Sequence, residues 1–327
     1  MSKVKVEPQE ALGYQYPVQK VSYNKRDIIL YALSIGCEAD ELRYTYELDK
    51  QFAPFPTYPI VLSLKGNTSN VNLFAERTKL GGPIPGLPPL DPNKMIQGEQ
   101  SLEILKALPV EGEFALQTTV TGVYDKGSGL VFELTSVLVD PNTKVQYAKI
   151  RSQTFVIGYG GFGGPKGEKS VSYAPPKNKA PDAVVSAKTL ATQALLYRLS
   201  GDYNPLHADP TIGAGLGFGG VILHGLCTFS YAAHAILKTL GNNDPSRLIS
   251  ITGRSSAPVY PGDTLDTYMW KLGDGKVVYL VKAKERDVVV LTNGLATLKE
   301  DKSNVAGVES IVAGEYFCAT LIVSQGC

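Results

Sequence analysis

The string Gly201-Asp-Tyr-Asn-Pro-Leu-His207 contains the residue types that acid–base chemistry requires. A helical pattern precedes it, but Gly201 can end that helix and Pro205 cannot continue one. The chain must therefore turn between Asp202 and His207, and a turn can bring the carboxylate and the imidazole to one water molecule. One group can remove a proton while the other delivers one, and histidine exchanges protons near neutral pH.

Asn204, inside the same string, offers an amide that can orient the water or a carbonyl group. The alternative is that Asp202 caps a turn and that His207 is a hydrogen-bonded residue of the core. The chain has only three histidines, and one of them stands in this string, which favours the catalytic interpretation. His207, His224 and His234 have neither HxxxH nor HExxH spacing, so we expect no metal site.

Two helical passages precede stretches that favour strands. Residues 24–36 and 189–201 have apolar side chains at helical spacing, and each contains the sequence Tyr-x-Leu-Ser. Asn24 can cap the first helix, Asp27 suits its first turn, and Gly36 can end it in the left-handed conformation. Alternating Val, Thr and Tyr predict antiparallel strands at residues 114–123, 130–139, 146–158, 277–284 and 288–296. The repetition indicates a duplicated α+β unit.

Glycine and proline mark the boundary between the two units. Gly160-Gly-Phe-Gly-Gly-Pro and Ala174-Pro-Pro are too rich in these residues to hold a regular element. We therefore predict a first unit at residues 1–160, a linker at 161–180 and a second unit at 181–300. The tail, residues 301–327, contains an apolar, strand-like run, and its sequence suggests no function.

Composition excludes several classes of protein. Hydrophobic residues make up 43% and charged residues 19%, which is enough apolar material for a sizeable core. The net charge of +1 supplies no basic field, so we expect no nucleic-acid partner. The longest apolar stretch, residues 221–237, is shorter than the ~20 residues of a membrane span, so none is expected. Four scattered cysteines fit a reducing or peroxisome-like compartment.

The string around His207 closely resembles the signature of the type 2 (R-specific) enoyl-CoA hydratases, which belong to the MaoC-like family. Further landmarks stand in family order across residues 18–298. They are Gly98-Glu-Gln, Asp125-Lys-Gly-Ser-Gly, Gly160-Gly-Phe-Gly-Gly, Leu223-His-Gly-Leu-Cys-Thr-Phe and Pro258-Val-Tyr-Pro-Gly. The resemblance also extends to the hydratase part of peroxisomal multifunctional enzyme type 2.

This resemblance implies an α+β double hot-dog fold, in which two tandem units each wrap an antiparallel sheet around a helix. Catalysis is expected in the second unit, whose central helix is residues 224–240. The backbone N–H of Gly225 has no acceptor within that helix, and it can bind the thioester oxygen as negative charge develops there. The alternative is that Gly225 only permits a tight helix entry. His224 is expected to pack or to orient a neighbour.

The implied reaction is the reversible hydration of trans-2-enoyl-CoA to (3R)-3-hydroxyacyl-CoA, with no cofactor because CoA arrives with the substrate. Asp202, His207, Asn204 and Gly225 are the expected catalytic group. The first unit is expected to accommodate the acyl chain. A hot-dog acyl-CoA thioesterase and a non-catalytic acyl-CoA-binding module are the alternatives, because a fold does not fix a function.

Further residues are expected to contact the substrate. Those within the string are Tyr203, Pro205 and Leu206. Outside it, Lys126 can meet a CoA phosphate, although it can equally be a solvated hairpin lysine. Gln97, Gly98 and Ser255 match positions that line the site, but Gln97 stands where relatives often have histidine, and Ser255 where they often have an aromatic residue. Both departures put the fit of the acyl chain or of CoA in doubt.

Partners and location follow from the resemblance alone. It implies an acyl-CoA substrate, a homodimer, and relatives fused to or associated with a (3R)-hydroxyacyl-CoA dehydrogenase. It also implies a peroxisomal location. The chain ends Ser-Gln-Gly-Cys327, which is not a Ser-Lys-Leu type signal, so a cytoplasmic location is the alternative.

Overall fold

The structure, a computed structural model of the chain, describes residues 5–71, 74–77, 82–167 and 171–300. The predicted tail, residues 301–327, lies outside the described residues. Ten strands form one sheet: β1 Gln19–Tyr23, β2 Met95–Ile104, β3 Gly112–Asp125, β4 Gly129–Val139, β5 Gln146–Ile157, β6 Ala183–Lys188, β7 Leu248–Ser255, β8 Thr264–Gly273, β9 Lys276–Ala283 and β10 Val288–Leu298. The five segments predicted as strands are confirmed as β3, β4, β5, β9 and β10.

The sheet has an internal two-fold pattern. Its strand order is β1-β3-β4-β5-β2-β7-β10-β9-β8-β6, and every pair of neighbours is antiparallel. The order within the first half, β1-β3-β4-β5-β2, is repeated in the second half as β6-β8-β9-β10-β7. Strands β2 and β7 pair with each other at the centre, so the two halves share one continuous sheet.

Eight α-helices accompany the sheet among the described residues: α1 Pro8–Ala11, α2 Lys25–Ser34, α3 Leu42–Thr45, α4 Leu62–Lys65, α5 Phe74–Arg77, α6 Gln193–Tyr197, α7 Pro210–Gly215 and α8 Gly225–Leu240. Six short 3-10 helices are Tyr58–Val61, Pro92–Lys94, Arg198–Ser200, Pro205–His207, Pro245–Arg247 and Lys284–Arg286. No described helix is long and apolar enough to cross a membrane.

Helix α8 lies inside the second half. Every side chain from Cys227 to Leu237 is buried, as expected for a helix that is covered on all sides. Small residues such as Ala232 and Ala233 let it pack closely on β7, β8 and β10. In the first half, the corresponding part of the chain lies between α2 and β2, where the described helices each have four residues or fewer. The long central helix is therefore a feature of the second half.

Helix α2 has the predicted boundaries. The Asn24 side chain accepts a hydrogen bond from the Asp27 N–H, and the Asp27 side chain accepts one from the Asn24 N–H. This reciprocal capping satisfies two backbone donors at the helix start. Gly36 has φ +88°, and a Cβ there would lie 2.6 Å from the ring of Tyr231 on α8. The end of α2 therefore requires glycine both for its conformation and for its contact with α8.

The prediction of one helix over residues 189–201 is wrong. Only Gln193–Tyr197 is α-helical, and a 3-10 turn, Arg198–Ser200, follows. The hydroxyl of Thr189 donates a hydrogen bond to the Asp263 carbonyl, and the Leu190 N–H donates to the Gln193 side chain. These two bonds keep Thr189 and Leu190 outside helix α6, because hydrogen bonds that involve local side chains compete with helical backbone bonds.

The two Tyr-x-Leu-Ser sequences meet at the centre of the molecule. The rings of Tyr31 and Tyr197 have centroids 6.1 Å apart. The Gln193 amide donates to the Ser34 carbonyl at 2.7 Å, which links α6 to the end of α2. Contact between these like segments agrees with a duplicated unit.

Candidate active site

A short turn positions the predicted acid and imidazole. Gly201 has φ +128°, and a Cβ there would lie 2.6 Å from the Lys65 backbone nitrogen. The Asp202 carboxylate accepts a hydrogen bond from the Asn204 N–H, and the Asn204 side chain accepts one from the Leu206 N–H. Such bonds are typical of turns that begin with Asp or Asn. They lead into the 3-10 turn that presents His207.

The turn brings the predicted pair together. One carboxylate oxygen of Asp202 and one ring nitrogen each of His207 and His224 all lie within 4.8 Å of one another. His207 is only 8% exposed, and its Nδ1 lies 2.8 Å from the Ile222 carbonyl oxygen. Because a carbonyl only accepts, Nδ1 carries the hydrogen, and Nε2 of the neutral ring keeps its lone pair. A neutral imidazole with a free Nε2 can act as a base.

Burial keeps this imidazole neutral. It lowers the pKa of His207 below its ordinary value, against the opposing effects of the Asp202 charge and of the hydrogen bond to Ile222. Burial disfavours a charged imidazolium, whereas a nearby carboxylate favours it. The net direction leaves His207 uncharged near neutral pH.

His224 lies directly against His207. The two rings stack with centroids 3.6 Å apart and planes 26° apart. His224 Nε2 lies 3.1 Å from the Asp202 carbonyl oxygen and therefore donates to it, while its buried Nδ1 has no hydrogen-bond partner among the described residues. Ring nitrogens bind metal ions through lone pairs in the ring plane. Because the two planes are nearly parallel, these lone pairs do not converge on one ion, so the cluster is a poor chelator.

A second group of predicted residues meets at the start of α8. A Cβ on Gly225 would lie 3.0 Å from Ser255 Oγ on β7 and 3.7 Å from the Gln97 side chain on β2. Gly225 is the first residue of α8, so its N–H has no acceptor within the helix. It follows His224 directly in the chain. The amide that was predicted to bind a carbonyl oxygen is therefore beside the Asp202–His207 cluster.

Gly98 permits an irregularity in strand β2 close to the start of α8. The pairing of β2 with β5 is irregular between Gln97 and Gln100, and a Cβ on Gly98 would lie 2.9 Å from the Gln153 carbonyl oxygen. The absence of a side chain permits this bulge. The Gln97 amide donates to the Gln100 side chain at 3.3 Å. The bulge thus aims Gln97 at the start of α8.

Of four further predicted substrate contacts, three lie within the Asp202–His207 turn and Lys126 lies elsewhere. Lys126 is at the β3–β4 turn, where its Nζ donates to the Lys166 carbonyl at 2.5 Å. Pro205 is exposed and begins the 3-10 turn, and Leu206 is held through its N–H by Asn204. Tyr203 is buried with its ring under the guanidinium of Arg198. Their roles as substrate contacts stay predictions.

The cavity beside Tyr203 was not predicted. It has a volume of about 260 Å³, and the described residues that line it include Leu30 of α2, Lys65 of α4 and Leu199. The Lys65 ammonium lies 3.2 Å from the Asp27 carboxylate in a buried ion pair. Leu30 and Lys65 are separated from Tyr203 by more than a hundred positions, so no local spacing pattern indicates that they share a site with it.

Comparisons with known proteins agree with this architecture. Residues 21–158 match the family model described as MFE-2 hydratase 2 N-terminal domain, and residues 173–293 match the MaoC like domain. A probable dehydratase, NIT22, of Ajellomyces capsulatus is 39% identical, with 89% of this chain and 82% of that protein covered. A probable enoyl-CoA hydratase 2 of Dictyostelium discoideum is 36% identical over 88% and 95% of the two chains. Enoyl-CoA hydratase 2, peroxisomal, of Arabidopsis thaliana is 34% identical over 86% and 92%.

Solved structures give the same result. A MaoC-like dehydratase from Phytophthora capsici has a TM-score of 0.84 at 37% identity, with 91% of this chain and 99% of that chain covered. The full-length peroxisomal multifunctional enzyme type 2 of Drosophila melanogaster has a TM-score of 0.72 at 32% identity, and this match covers 87% of this chain and 48% of that chain. A Mycobacterium tuberculosis protein described as a double hotdog fold has a TM-score of 0.54 at 15% identity, which bears on the fold alone.

The fold is therefore the double hot-dog that the sequence predicted. The chain belongs to the MaoC-like dehydratase family, and within it to the group that includes the enoyl-CoA hydratases 2.

Proposed function

We propose that this protein catalyses the reversible hydration of trans-2-enoyl-CoA to (3R)-3-hydroxyacyl-CoA in fatty acid β-oxidation. One observation carries the proposal. A carboxylate oxygen of Asp202 and a ring nitrogen of His207 lie within 4.8 Å, beside the first turn of α8. The relatives named enoyl-CoA hydratase 2 support the same reaction.

In the proposed mechanism, the N–H of Gly225 binds the thioester oxygen and stabilises the negative charge that develops there. A water molecule lies between Asp202 and His207. His207 Nε2 takes one proton from it as the water oxygen bonds to C3, and the Asp202 carboxylate holds the other hydrogen. The C2=C3 double bond becomes a single bond, and the proton returns from His207 to C2. One water is added, and both side chains return to their starting states.

The reverse reaction uses the same groups. The 39% identical relative from Ajellomyces capsulatus is named a probable dehydratase. Since hydration is reversible, removal of water from a (3R)-3-hydroxyacyl thioester is the second candidate. Initial rates measured separately with the enoyl and the 3-hydroxyacyl thioester show which of the two the enzyme uses faster at a given concentration.

The central experiment follows the absorbance of the conjugated enoyl thioester with short, medium and long trans-2-enoyl-CoA substrates, with chiral analysis of the product. We expect loss of the enoyl absorbance and formation of the (3R) alcohol. Release of CoA thiol while the double bond remains would instead identify a thioesterase. Binding measured by calorimetry without turnover at any chain length would identify a non-catalytic acyl-CoA-binding module.

We further propose that the reaction needs no cofactor, because the charge on the thioester oxygen is stabilised by a backbone amide. Dialysis against a strong chelator should leave turnover unchanged. Loss of turnover that returns on addition of a divalent metal would contradict the proposal.

The roles of the two halves are part of the same proposal. The first half accommodates the acyl chain in the space beside Tyr203, and the second half carries the chemistry.

Relatives named peroxisomal support a peroxisomal location. A Neurospora crassa relative named peroxisomal hydratase-dehydrogenase-epimerase, 34% identical over a match that covers 30% of its length, supports association with a dehydrogenase activity. We also propose a homodimer, which analytical ultracentrifugation tests directly.

A further inference from the structure

His224 has no proton-transfer role in the mechanism above, yet it contacts both residues that do. Its ring stacks on His207, with centroids 3.6 Å apart. Its Nε2 donates to the backbone carbonyl of Asp202 at 3.1 Å. It is 1% exposed, and it is the residue immediately before Gly225. His224 thus contacts the base, His207, and the backbone of Asp202. It also directly precedes Gly225, whose N–H is proposed to bind the substrate oxygen.

We propose that His224 is a positioning residue that holds the Asp202–His207 pair in its reactive geometry and shields one face of the His207 ring from water. The identity of the reaction rests on the proposed function, whereas the contacts of His224 do not depend on it. Its hydrogen bond fixes the backbone at Asp202. Its ring stacks on one face of His207, and His207 is only 8% exposed.

The contacts of His224 require one protonation state. Because the Asp202 carbonyl can only accept, Nε2 carries the hydrogen, and the buried Nδ1 has no partner among the described residues to stabilise a second one. Burial and the proximity of His207 hold the pKa of His224 well below its ordinary value. A neutral neighbour adds no positive charge beside His207, and a protonated one would oppose the uptake of a proton from water.

The charged and titratable groups around the two rings are few. The Asp202 carboxylate acts on His207, and the Arg198 guanidinium acts on His224. The Tyr197 ring lies 4.9 Å from that of His224, and burial raises the pKa of its phenol well above the ordinary value. Tyr197 therefore stays neutral, so the pH response of the pair depends on Asp202, Arg198 and the two imidazoles.

Two substitutions separate the hydrogen bond from the ring. In His224→Gln, the side-chain amide can still donate to the Asp202 carbonyl, but the ring is lost. In His224→Phe, the ring remains and the donor is lost. We expect each to lower kcat by about 10- to 100-fold, because small displacements of reacting groups have effects of that size. KM should change little, because His224 is not expected to touch the substrate.

The pH profile distinguishes positioning from a merely structural role. Loss of the ring in His224→Gln exposes His207 to water, so the pKa of His207 rises toward its ordinary value. The acid limb of the kcat/KM profile, where activity is lost as the pH falls, then moves to higher pH. The limb should stay in place in His224→Phe. His234→Gln, the same change on the same helix, is the matched control and should keep the wild-type limb. Thermal melting verifies that each variant is folded.

A measurement on the wild-type protein keeps the proposal testable if the variants do not fold. The three histidines can be resolved by ¹⁵N NMR of the imidazole nitrogens. From about pH 5.5 to about pH 9 we expect His224 to remain neutral with its hydrogen on Nε2, and neutral His207 to carry its hydrogen on Nδ1. Titration of His224 in this range, or unchanged kcat and pH limb in folded variants, overturns the proposal. Absence of turnover in the wild type with the expected NMR result instead refutes only the proposed reaction.

Discussion

At the scale of single residues, the geometry of the site comes from side chains that bind the backbone of their own turn. Asp202 accepts from the Asn204 N–H, and Asn204 accepts from the Leu206 N–H. His207 in turn donates to the Ile222 carbonyl, which leaves its Nε2 free. The orientation of each reactive group is therefore fixed by a neighbour with no reactive role.

Substitution of the acid tests its chemical role without loss of the turn. Asp202→Asn keeps a side-chain oxygen that can accept from the Asn204 N–H, so the fold should be unchanged. Loss of the carboxylate that holds the water during proton transfer to His207 should lower kcat by at least about 100-fold. The hydratase absorbance assay and thermal melting check these two expectations.

Asp209→Asn is the matched control. Asp209 is exposed and caps α7 by accepting from the Thr211 N–H, and asparagine caps helices equally well. This variant should keep wild-type kcat. Near wild-type turnover of Asp202→Asn would remove Asp202 from the mechanism.

The low pKa of His207 predicts the pH dependence of the reaction. The mechanism requires neutral His207, and its pKa lies below the ordinary value of 6.5 because the ring is buried. The group therefore stays active as the pH falls through 6.5, and activity is lost only at lower pH. A profile of kcat/KM against pH should have its acid midpoint below 6.5. An acid midpoint above that value would show that the free enzyme holds His207 in a different environment.

At the scale of elements, the described residues of the first half contain no helix as long as α8, and a cavity lies beside the catalytic turn. Helix α8 fills the second half, whereas α2 and α4 border the cavity of about 260 Å³ next to Tyr203. Its lining combines the apolar Leu30 and Leu199 with the Asp27–Lys65 ion pair, and our proposal places the acyl chain against the apolar part. In this proposal the two halves of one duplicated architecture bind different parts of the substrate.

A larger residue at Leu30 should act as a chain-length filter. Leu30→Trp fills part of the cavity, so kcat/KM for long enoyl-CoA substrates should fall by about 10-fold or more. The four-carbon enoyl-CoA does not reach the cavity and should keep its rate. Leu33→Trp, on the same helix at a position 45% exposed, is the control and should change neither. An equal loss at every chain length would place the acyl chain elsewhere.

The elements differ in how well the sequence predicts them. Strands such as β4 and β9 are predictable because β-branched and aromatic residues dominate them. Strand β2, Met95–Ile104, was not predicted, because a bulge at Gly98 and pairing on both edges remove a simple alternation. The turn at Asp202 follows from Gly201 and Pro205. The stacking of His224 on His207 depends on where α8 begins in space, which no local pattern encodes.

At the scale of the whole molecule, the halves are joined by more than the β2–β7 pairing. Glu41, at the start of α3, has a side chain only 2% exposed. Its carboxylate accepts from His234 Nε2 on α8 at 2.8 Å, from the Asn243 amide at 2.9 Å and from the Glu38 N–H at 2.8 Å. A first-half carboxylate is thus bound to the central helix of the second half and to the loop that follows it.

The final prediction concerns acid stability. Burial raises the pKa of Glu41, but the hydrogen bond and charge of His234 outweigh it, so the pKa is about 2 rather than 4.5. A carboxyl whose pKa is lower in the folded state stabilises it fully above pH 4.5, and this stabilisation is lost as the pH falls toward 2. Glu41→Gln should therefore lower the free energy of unfolding at neutral pH by about 3 kcal/mol, because one amide oxygen cannot replace both carboxylate oxygens as acceptor for the buried donors of His234, Asn243 and the Glu38 N–H.

Denaturant unfolding at several pH values checks this prediction. Wild-type stability should decrease between pH 4.5 and 2 more steeply than that of Glu41→Gln, because the variant lacks the carboxyl that takes up the proton. Glu38→Gln removes a carboxylate of the same loop that is 67% exposed and pairs with Lys238 at the surface. Exposed pairs contribute roughly 0–1 kcal/mol, so this control should resemble the wild type. If both variants lose the same amount of stability, the Glu41–His234 pair contributes no more than an exposed ion pair does. The sheet and its core would then hold the two halves together.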